Sequence, residues 1–183
     1  MPHHYPPSVL PRLLTLAWID TPLGPMTTIA DEHGLYALSW ADRPAGGHAT
    51  IPWAQRAGIP VVVGTTPPIA CLRQELTAYF QGILRVFSTP YHLTGTPFQQ
   101  RVWHSLRGIP YGHTLSYPSQ AISIANPNAV RAVANANGAN PLAILIPCHR
   151  VISSQGTLGG YNGGRLRKQW LLEHENRHTR LQG

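Results

Sequence analysis

Residues 116–138 read SYPSQAISIANPNAVRAVANANG, and this stretch decides how the second half of the chain is built. Ser116 is a side-chain acceptor placed to cap a helix. Pro118 fits the first turn, where no intrahelical amide donor is needed. Asn126-Pro127 ends that helix. A second helix is expected over 128–137, with Gly138 as its stop. Two short helices around a tight turn make a helix-turn-helix candidate. In the second helix Ala129, Ala132 and Ala136 recur at i, i+3 and i+7, a nearly smooth face beside one long cation, Arg131. Val130 and Val133 lie on a neighbouring stripe suited to packing inward. A smooth face of this kind serves either close packing on another helix or close approach to a nucleic-acid backbone.

Working outward, Thr96-Pro97 is a cap followed by proline at the first helical position, and Phe98, Val102 and Leu106 follow as an inward stripe. A last helix is expected over 165–174, with Leu166 and Trp170 four residues apart. The first half has a different texture. Segments 13–20, 26–31 and 34–40 read as short strands separated by turns at 21–25 and 32–34, and 60–63 is a candidate fourth strand. Leu72, Leu76, Phe80 and Ile83 predict a helix over 70–84, in which Cys71 reads as a small core residue. Strands followed by a helix, without βαβ alternation, indicate α+β. The expected architecture is a small N-terminal sheet-plus-helix domain over 12–92 and a mainly helical C-terminal domain over 96–178 with the helix-turn-helix. Residues 1–11 are expected to be a flexible leader and 179–183 a tail.

The chain has 183 residues, 43% of them apolar, which permits a packed core. It has no run of about 18 apolar residues, so no spanning helix is expected, and the start lacks the layout of a signal peptide. Two cysteines, Cys71 and Cys148, cannot form a disulfide framework, so a reducing, cytoplasmic setting is expected. The net charge of +7 is unevenly placed. Residues 1–96 hold five basic and five acidic side chains, whereas 97–183 hold nine basic and only Glu173 and Glu175 as acids. That asymmetry is the footprint expected of a half that meets a polyanion.

Leu142 to Ile146 is an apolar run that delivers the chain to Pro147-Cys148-His149-Arg150. A cysteine after such a run is usually buried and inert. Three features argue for a nucleophile here. His149 and Arg150 are potential cations, which would lower the thiol pKa. The surrounding Gly and Asn residues suit a loop-built site. Glu175 could orient His149 as a base, completing the pattern of an activated sulfur nucleophile.

In its longer context, Asn140-Pro141-Leu142-Ala143-Ile144-Leu145-Ile146-Pro147-Cys148-His149-Arg150-Val151-Ile152 resembles the active-site signature of the O6-alkylguanine-DNA alkyltransferases, bacterial type. Thr96-Pro97-Phe98-Gln99, Trp103, Ser116-Tyr117, Arg131-Ala132-Val133, Gly160-Tyr161-Asn162-Gly163-Gly164 and the segment from Lys168 to Glu175 fall in that family's order and spacing. Asp20-Thr21-Pro22-Leu23-Gly24-Pro25 is similar to its N-terminal domain, so the resemblance covers about residues 12–178.

The resemblance implies a DNA repair protein that moves an alkyl group from O6-alkylguanine, with O4-alkylthymine as a second base of the same chemistry, irreversibly and once per molecule. Cys148 would be the acceptor, His149 would take its proton through a bound water, and Glu175 would fix the imidazole. Tyr117 and Lys168 would sit by the flipped base. Arg131 would be the finger that fills the stack, with Ala129, Ala132 and Ala134 against the DNA backbone. Asn140 would be the hinge tying the recognition helix to the nucleophile loop. The Val151 backbone would hold the base, and Tyr161 and Asn162 would close over the alkyl group. The implied partner is double-stranded DNA containing alkylated guanine, entered by the minor groove and met by a monomer, with no membrane, no cofactor and no metal. Ala134 stands where the family commonly has glycine, and Pro118 and Asn135 are also atypical. Two other classes use some of the same residues. A non-transferring alkylguanine sensor would not need Cys148, and a Cys–His–Glu hydrolase would not need the basic half or the smooth helix.

Overall fold

The computed structural model describes residues 13–42 and 52–180. The expected leader over 1–11 and the last three residues of the expected tail lie outside them. Strands buried on both faces and two tight turns build the first sheet. Strand β1 (Leu14–Ile19) runs antiparallel to β2 (Met26–Ala30), from Thr15 opposite Ala30 to Ile19 opposite Met26. The turn between them is held by Thr21, whose Oγ1 accepts from the Leu23 amide at 3.2 Å and donates to the Gly24 carbonyl at 2.6 Å. Strand β3 (Leu35–Trp40) is antiparallel to β2. After the short helix α1 (Pro52–Arg56), strand β4 (Val61–Val63) returns to pair parallel with β1, giving the order β3-β2-β1-β4. The candidate fourth strand is therefore real, but its parallel pairing is set by the long return through α1, which strand propensity does not encode.

Helix α2 (Pro67–Phe80) begins three residues before the expected start, with prolines in its first turn, and ends four residues early. Gly82, at φ 75°, turns the chain out of the helix, and Ile83 is left 72% exposed. The inward stripe is therefore Leu72, Leu76 and Tyr79. Cys71 is half-buried, with the Thr89 hydroxyl 3.3 Å from its sulfur, and is not a core residue.

Helix α3 (Pro97–Leu106) carries the expected cap as a reciprocal capping box. Gln99 N–H donates to Thr96 Oγ1 at 3.1 Å, and Thr96 N–H donates to Gln99 Oε1 at 2.9 Å. Ser116 caps α4 (Tyr117–Ser123), with Pro118 in its first turn. Helix α5 (Val130–Gly138) includes the glycine expected to stop it, because Gly138 stays helical and is not at positive φ. Helix α6 (Arg165–Arg180) runs six residues past its expected end, and Leu166 is 84% exposed and off the packed face.

The alanine face also needs correction. Ala132 is exposed and Ala129 half-buried, but Ala136 is 3% exposed and packs inward with Val133, its carbonyl accepting from Trp103 Nε1 at 2.8 Å. The i+7 member thus belongs to the core face. A buried amide pair, unforeseen in the sequence, ties α3, α4 and α5 together. Asn137 Nδ2 donates to Gln120 Oε1 at 2.7 Å, while Gln120 Nε2 donates to Ser105 Oγ at 3.1 Å.

The two halves share one apolar cluster, which runs from Met26 and Leu38 through Leu76 and Trp103 to Val133, Ile146 and Leu171. The edge of β3 also pairs with the segment leading to Cys148. Leu38 N–H donates to the Pro141 carbonyl at 2.8 Å and Ala143 N–H to the Leu38 carbonyl at 2.9 Å. No helix among the described residues is long and apolar enough to cross a membrane.

Candidate active site

The run from Leu142 to Ile146 does not continue as a strand. Ile144, only 1% exposed, sits at φ 72°, a region that β-branched residues avoid at a cost of about 1–3 kcal/mol. The surrounding pairing overrides that preference and turns the chain so that Cys148–Arg150 forms one tight 3₁₀ turn. Asn140 anchors this turn. Its Nδ2 donates to the Ile146 carbonyl at 2.7 Å and approaches Cys148 Sγ at 3.2 Å, and its Oδ1 accepts from Leu142 N–H at 3.0 Å. One amide thus joins the end of α5 to the thiol.

Cys148 is buried, and burial pushes its thiol up from the ordinary value of 9.0. The groups opposing that shift are the Asn140 amide and the Lys168 ammonium, not the neighbours in sequence. Arg150 is committed elsewhere, donating from Nε to Glu175 Oε2 at 2.9 Å and from Nη2 to Oε1 at 3.0 Å. Burial likewise keeps the His149 pKa below its ordinary value. The expectation that His149 and Arg150 act as thiol-lowering cations is therefore corrected: a neutral ring and a neutralised guanidinium supply little field.

His149 Nε2 lies 2.9 Å from Glu175 Oε1. Burial alone would raise the Glu175 carboxyl, but His149 and Arg150 outweigh it and hold the group well below the usual carboxylate range. An ionised carboxylate only accepts, so Nε2 carries the imidazole proton and Nδ1 is left as the basic nitrogen. Nδ1 is buried with no hydrogen-bond partner among the described residues. Two further donors converge on Glu175: Tyr79 Oη at 2.8 Å and the Gly112 amide at 3.0 Å. Neither was foreseen, although Tyr79 falls seven residues after Leu72 on the buried stripe of α2.

Strands β5 (Leu115–Ser116) and β6 (Val151–Ile152) pair in parallel, setting the start of α4 beside the exit from the Cys148–Arg150 turn. Tyr117, at that start, has its hydroxyl 3.4 Å from the Gly160 carbonyl. Burial and the nearby Cys148 both raise the Tyr117 pKa, so its phenol stays protonated. Lys168 is fully buried; its Nζ donates to the carbonyls of Val151 at 2.6 Å and Gly160 at 3.0 Å and lies 5.8 Å from the centre of the Tyr117 ring. Burial lowers its pKa from 10.5 to about 8 against the pull of Cys148.

Over the thiol lies a cavity of about 10 Å³, walled in part by Trp40, Asn140, Tyr161, Asn162 and Gly163. That is room for roughly one water. A Cβ at Gly163 would run into the Trp40 ring, so the loop of 160–164 can lie this close to β3 only with glycine there. Arg131 stands apart from this cluster, exposed on α5, with no hydrogen bond or ion pair among the described residues. Ala134 is half-buried on the same helix. The structure therefore gathers Cys148, His149, Glu175, Tyr117, Lys168, Asn140, Val151, Tyr161 and Asn162, and leaves Arg131 and Ala132 exposed on α5 with Ala129 half-buried at its N-cap. Among the described residues no group of three or more His, Cys, Asp or Glu side chains could hold a metal.

Residues 97–177 match the sequence model of the 6-O-methylguanine DNA methyltransferase DNA binding domain, and residues 14–93 match that of the 6-O-methylguanine DNA methyltransferase ribonuclease-like domain. The chain is 44% identical over 160 residues to the methylated-DNA–protein-cysteine methyltransferase of Salmonella typhimurium, covering 86% of this chain and 92% of that protein. Identity to the Mycobacterium tuberculosis protein of the same name is 43% over 162 residues, covering 86% and 89%. Among solved structures, the Mycobacterium tuberculosis OGT in complex with DNA superposes with a TM-score of 0.78 at 40% identity, over 90% of this chain and 94% of that one. The Pyrococcus kodakaraensis O6-methylguanine-DNA methyltransferase shares the fold, with a TM-score of 0.66 at 22% identity over 88% and 98%. Both halves are matched, in order and nearly end to end, and this chain belongs to the 6-O-methylguanine DNA methyltransferase family.

Proposed function

We propose that this protein repairs DNA by transferring the alkyl group of O6-alkylguanine irreversibly to Cys148, in the cytoplasm and at the nucleoid. The observation that carries the reading is the buried Cys148–His149–Glu175 arrangement. The Glu175 carboxylate fixes the His149 tautomer at 2.9 Å and so points the basic Nδ1 away from itself. The thiol proton passes to Nδ1 through a water, and the thiolate attacks the alkyl carbon. The sulfur–carbon bond forms as the carbon–oxygen bond breaks, and guanine leaves as an anion protonated from the Tyr117 side. Lys168, with a pKa near 8, stays largely cationic at neutral pH and favours the thiolate. A thioether has no built-in route back, so each molecule acts once.

A guanine O6 is inaccessible within duplex, so the base must leave the stack at a cost of a few kcal/mol. Arg131, exposed and without an ion pair among the described residues, is suited to fill the gap, and the small residues Ala129, Ala132 and Ala134 allow close approach from the minor groove. The cavity over Cys148 has room for about one water, so a base enters only if the loop carrying Tyr161 and Asn162 moves aside and then closes over the alkyl group. The Val151 carbonyl already accepts from Lys168, which sets the edge the base would meet. The same displacement applies to O4-alkylthymine. The protein is proposed to act as a monomer.

A stoichiometric titration tests this reading. With duplex carrying one methylated guanine in excess, repaired sites should plateau at one per protein molecule and be absent with Cys148→Ser. A plateau well above one, or repair by Cys148→Ser, would exclude it.

A further inference from the structure

The cavity over Cys148 is closed on one side by the N-terminal sheet. Leu38, Ser39 and Trp40 of β3 line it, together with Asn140, Ala143 and the loop of 160–164. Tyr117, Lys168 and Val151, the groups assigned above to the flipped base, do not line it. The cavity is therefore the place of the alkyl group and not of the base. In a displacement at carbon, the sulfur, the alkyl carbon and the leaving oxygen lie in one line. Any carbon beyond the first must turn aside from that line and meet the cavity walls.

Those walls are held differently. The loop of 160–164 has to move for a base to enter, whereas Trp40 is 2% exposed and fixed in the sheet opposite Met26. Leu38, two residues earlier, is bonded along the outer edge of β3 to Pro141 and Ala143. The Arg167 guanidinium lies over the Trp40 ring, 4.3 Å from its centre. Arg167 donates to both oxygens of Asp42, from Nη1 to Oδ1 and from Nη2 to Oδ2, each at 2.9 Å. Its Nε donates to the Leu23 carbonyl at 2.9 Å. One more bond reaches the loop, from Nη1 to the Gly163 carbonyl at 3.2 Å. That bond can break as the loop moves, while the other three keep the guanidinium on the indole. The indole edge carrying Nε1 faces the loop, since a Cβ on Gly163 would run into that atom.

We propose that Trp40 is a specificity-determining residue: its indole, clamped by Arg167, is the fixed wall that limits how long an alkyl group Cys148 can accept. The inference rests on the transfer reading above. A cavity of about 10 Å³ takes roughly one water, and so a methyl carbon but not a chain. A longer group would have to displace the indole from a packed core, which resists overpacking. Methyl should therefore transfer faster than ethyl, and ethyl faster than n-propyl. Neither Trp40 nor Arg167 moves a proton in the reaction, so both act on size and not on the chemical step.

Single-turnover transfer from duplexes carrying O6-methylguanine or O6-n-propylguanine tests it, with the added mass read on Cys148. Wild type should transfer n-propyl roughly a hundredfold more slowly, since each methylene in a tight pocket is worth roughly 10–200-fold. Trp40→Leu should narrow that gap roughly tenfold. Trp40→Phe, which keeps a ring in the core, and Arg167→Met should narrow it by smaller factors. The ratio of two rate constants from one preparation does not depend on the fraction folded. The intrinsic difference in reactivity between the two alkyl groups cancels when variants are compared. Trp103→Leu, an equal cut in the same core away from the cavity, should leave the ratio unchanged. Wild-type rates for the two groups within about threefold of each other would overturn the proposal. So would a ratio unchanged in both Trp40→Leu and Trp40→Phe, or one shifted as far by Trp103→Leu. A wild-type protein that transfers neither group sinks the transfer reading and this one with it, whereas methyl transfer with an unmoved ratio sinks only this one.

Discussion

Tyr79, on the helix of the N-terminal half, donates its hydroxyl to the Glu175 carboxylate at 2.8 Å across 96 residues of sequence. The same oxygen, Oε1, also accepts from His149 and from Arg150, while Oε2 takes Arg150 and the Gly112 amide. The N-terminal half therefore reaches directly into the group that orients the candidate base. Tyr79→Phe keeps the ring in the core and removes only the donor. The expected loss is about 1–3 kcal/mol of stability, with slower alkyl transfer, read from the urea midpoint and single-turnover kinetics. A midpoint within about 0.3 kcal/mol of wild type would show that this contact does not matter.

Glu175 makes stability depend on acid. Its pKa is depressed in the folded state, so its contribution is fully present above the ordinary value of 4.5 and is lost as pH falls below it. Glu175→Gln leaves the buried Arg150 guanidinium without its counter-charge and should cost about 3–5 kcal/mol at pH 7. The variant should also lack this acid-dependent component. Denaturant unfolding of both proteins at pH 7, 5 and 3.5 checks it; parallel pH profiles would refute the assignment.

Lys168 gives a slope of the same sign in an alkaline window. Its folded pKa, about 8, is depressed below the ordinary 10.5, so the unfolded chain binds more protons between those values and stability rises with pH across that window. The slope is at most roughly 1.4 kcal/mol per pH unit. In a Cys148→Ser background, which removes the competing thiol, Lys168→Met should abolish that rise. Unfolding free energies at pH 8 and 10 measure it, and a rise that survives the substitution would place the titration elsewhere.

Arg131 should matter to the duplex and not to the sulfur. Arg131→Ala is expected to slow repair in duplex far more than reaction with a free alkylated guanine, because its proposed role is to offset the cost of flipping. Equal losses on the two substrates would remove that role.

What the sequence disclosed was mainly local. The Thr96 and Ser116 caps, the first three strands of the four-stranded sheet and the run into Cys148 are set by neighbours a few residues apart, and each appears close to its expected place. The motif carried Cys148 and His149 together, and the spacing to Glu175 came from the resemblance. The errors arose where distant parts meet. Arg150 reads as a free cation beside the thiol until the fold brings Glu175 to it. Tyr79 is missing from the stripe expected of α2, which passes through Phe80 and Ile83 instead, and Ala136 reads as part of an outer face until Trp103 bonds to its carbonyl. The left-handed turn at Ile144 contradicts its own propensity and exists only because β3 pairs with the segment around it.

The central claim is that the alkyl group ends on Cys148. Incubation with a duplex carrying one methylated guanine, followed by intact mass and peptide mapping, measures this directly. One added methyl is expected, confined to the peptide containing Cys148, with none on Cys71 and none when the duplex is undamaged. Tight binding to the methylated duplex with no gain in mass would contradict it and identify a sensor instead.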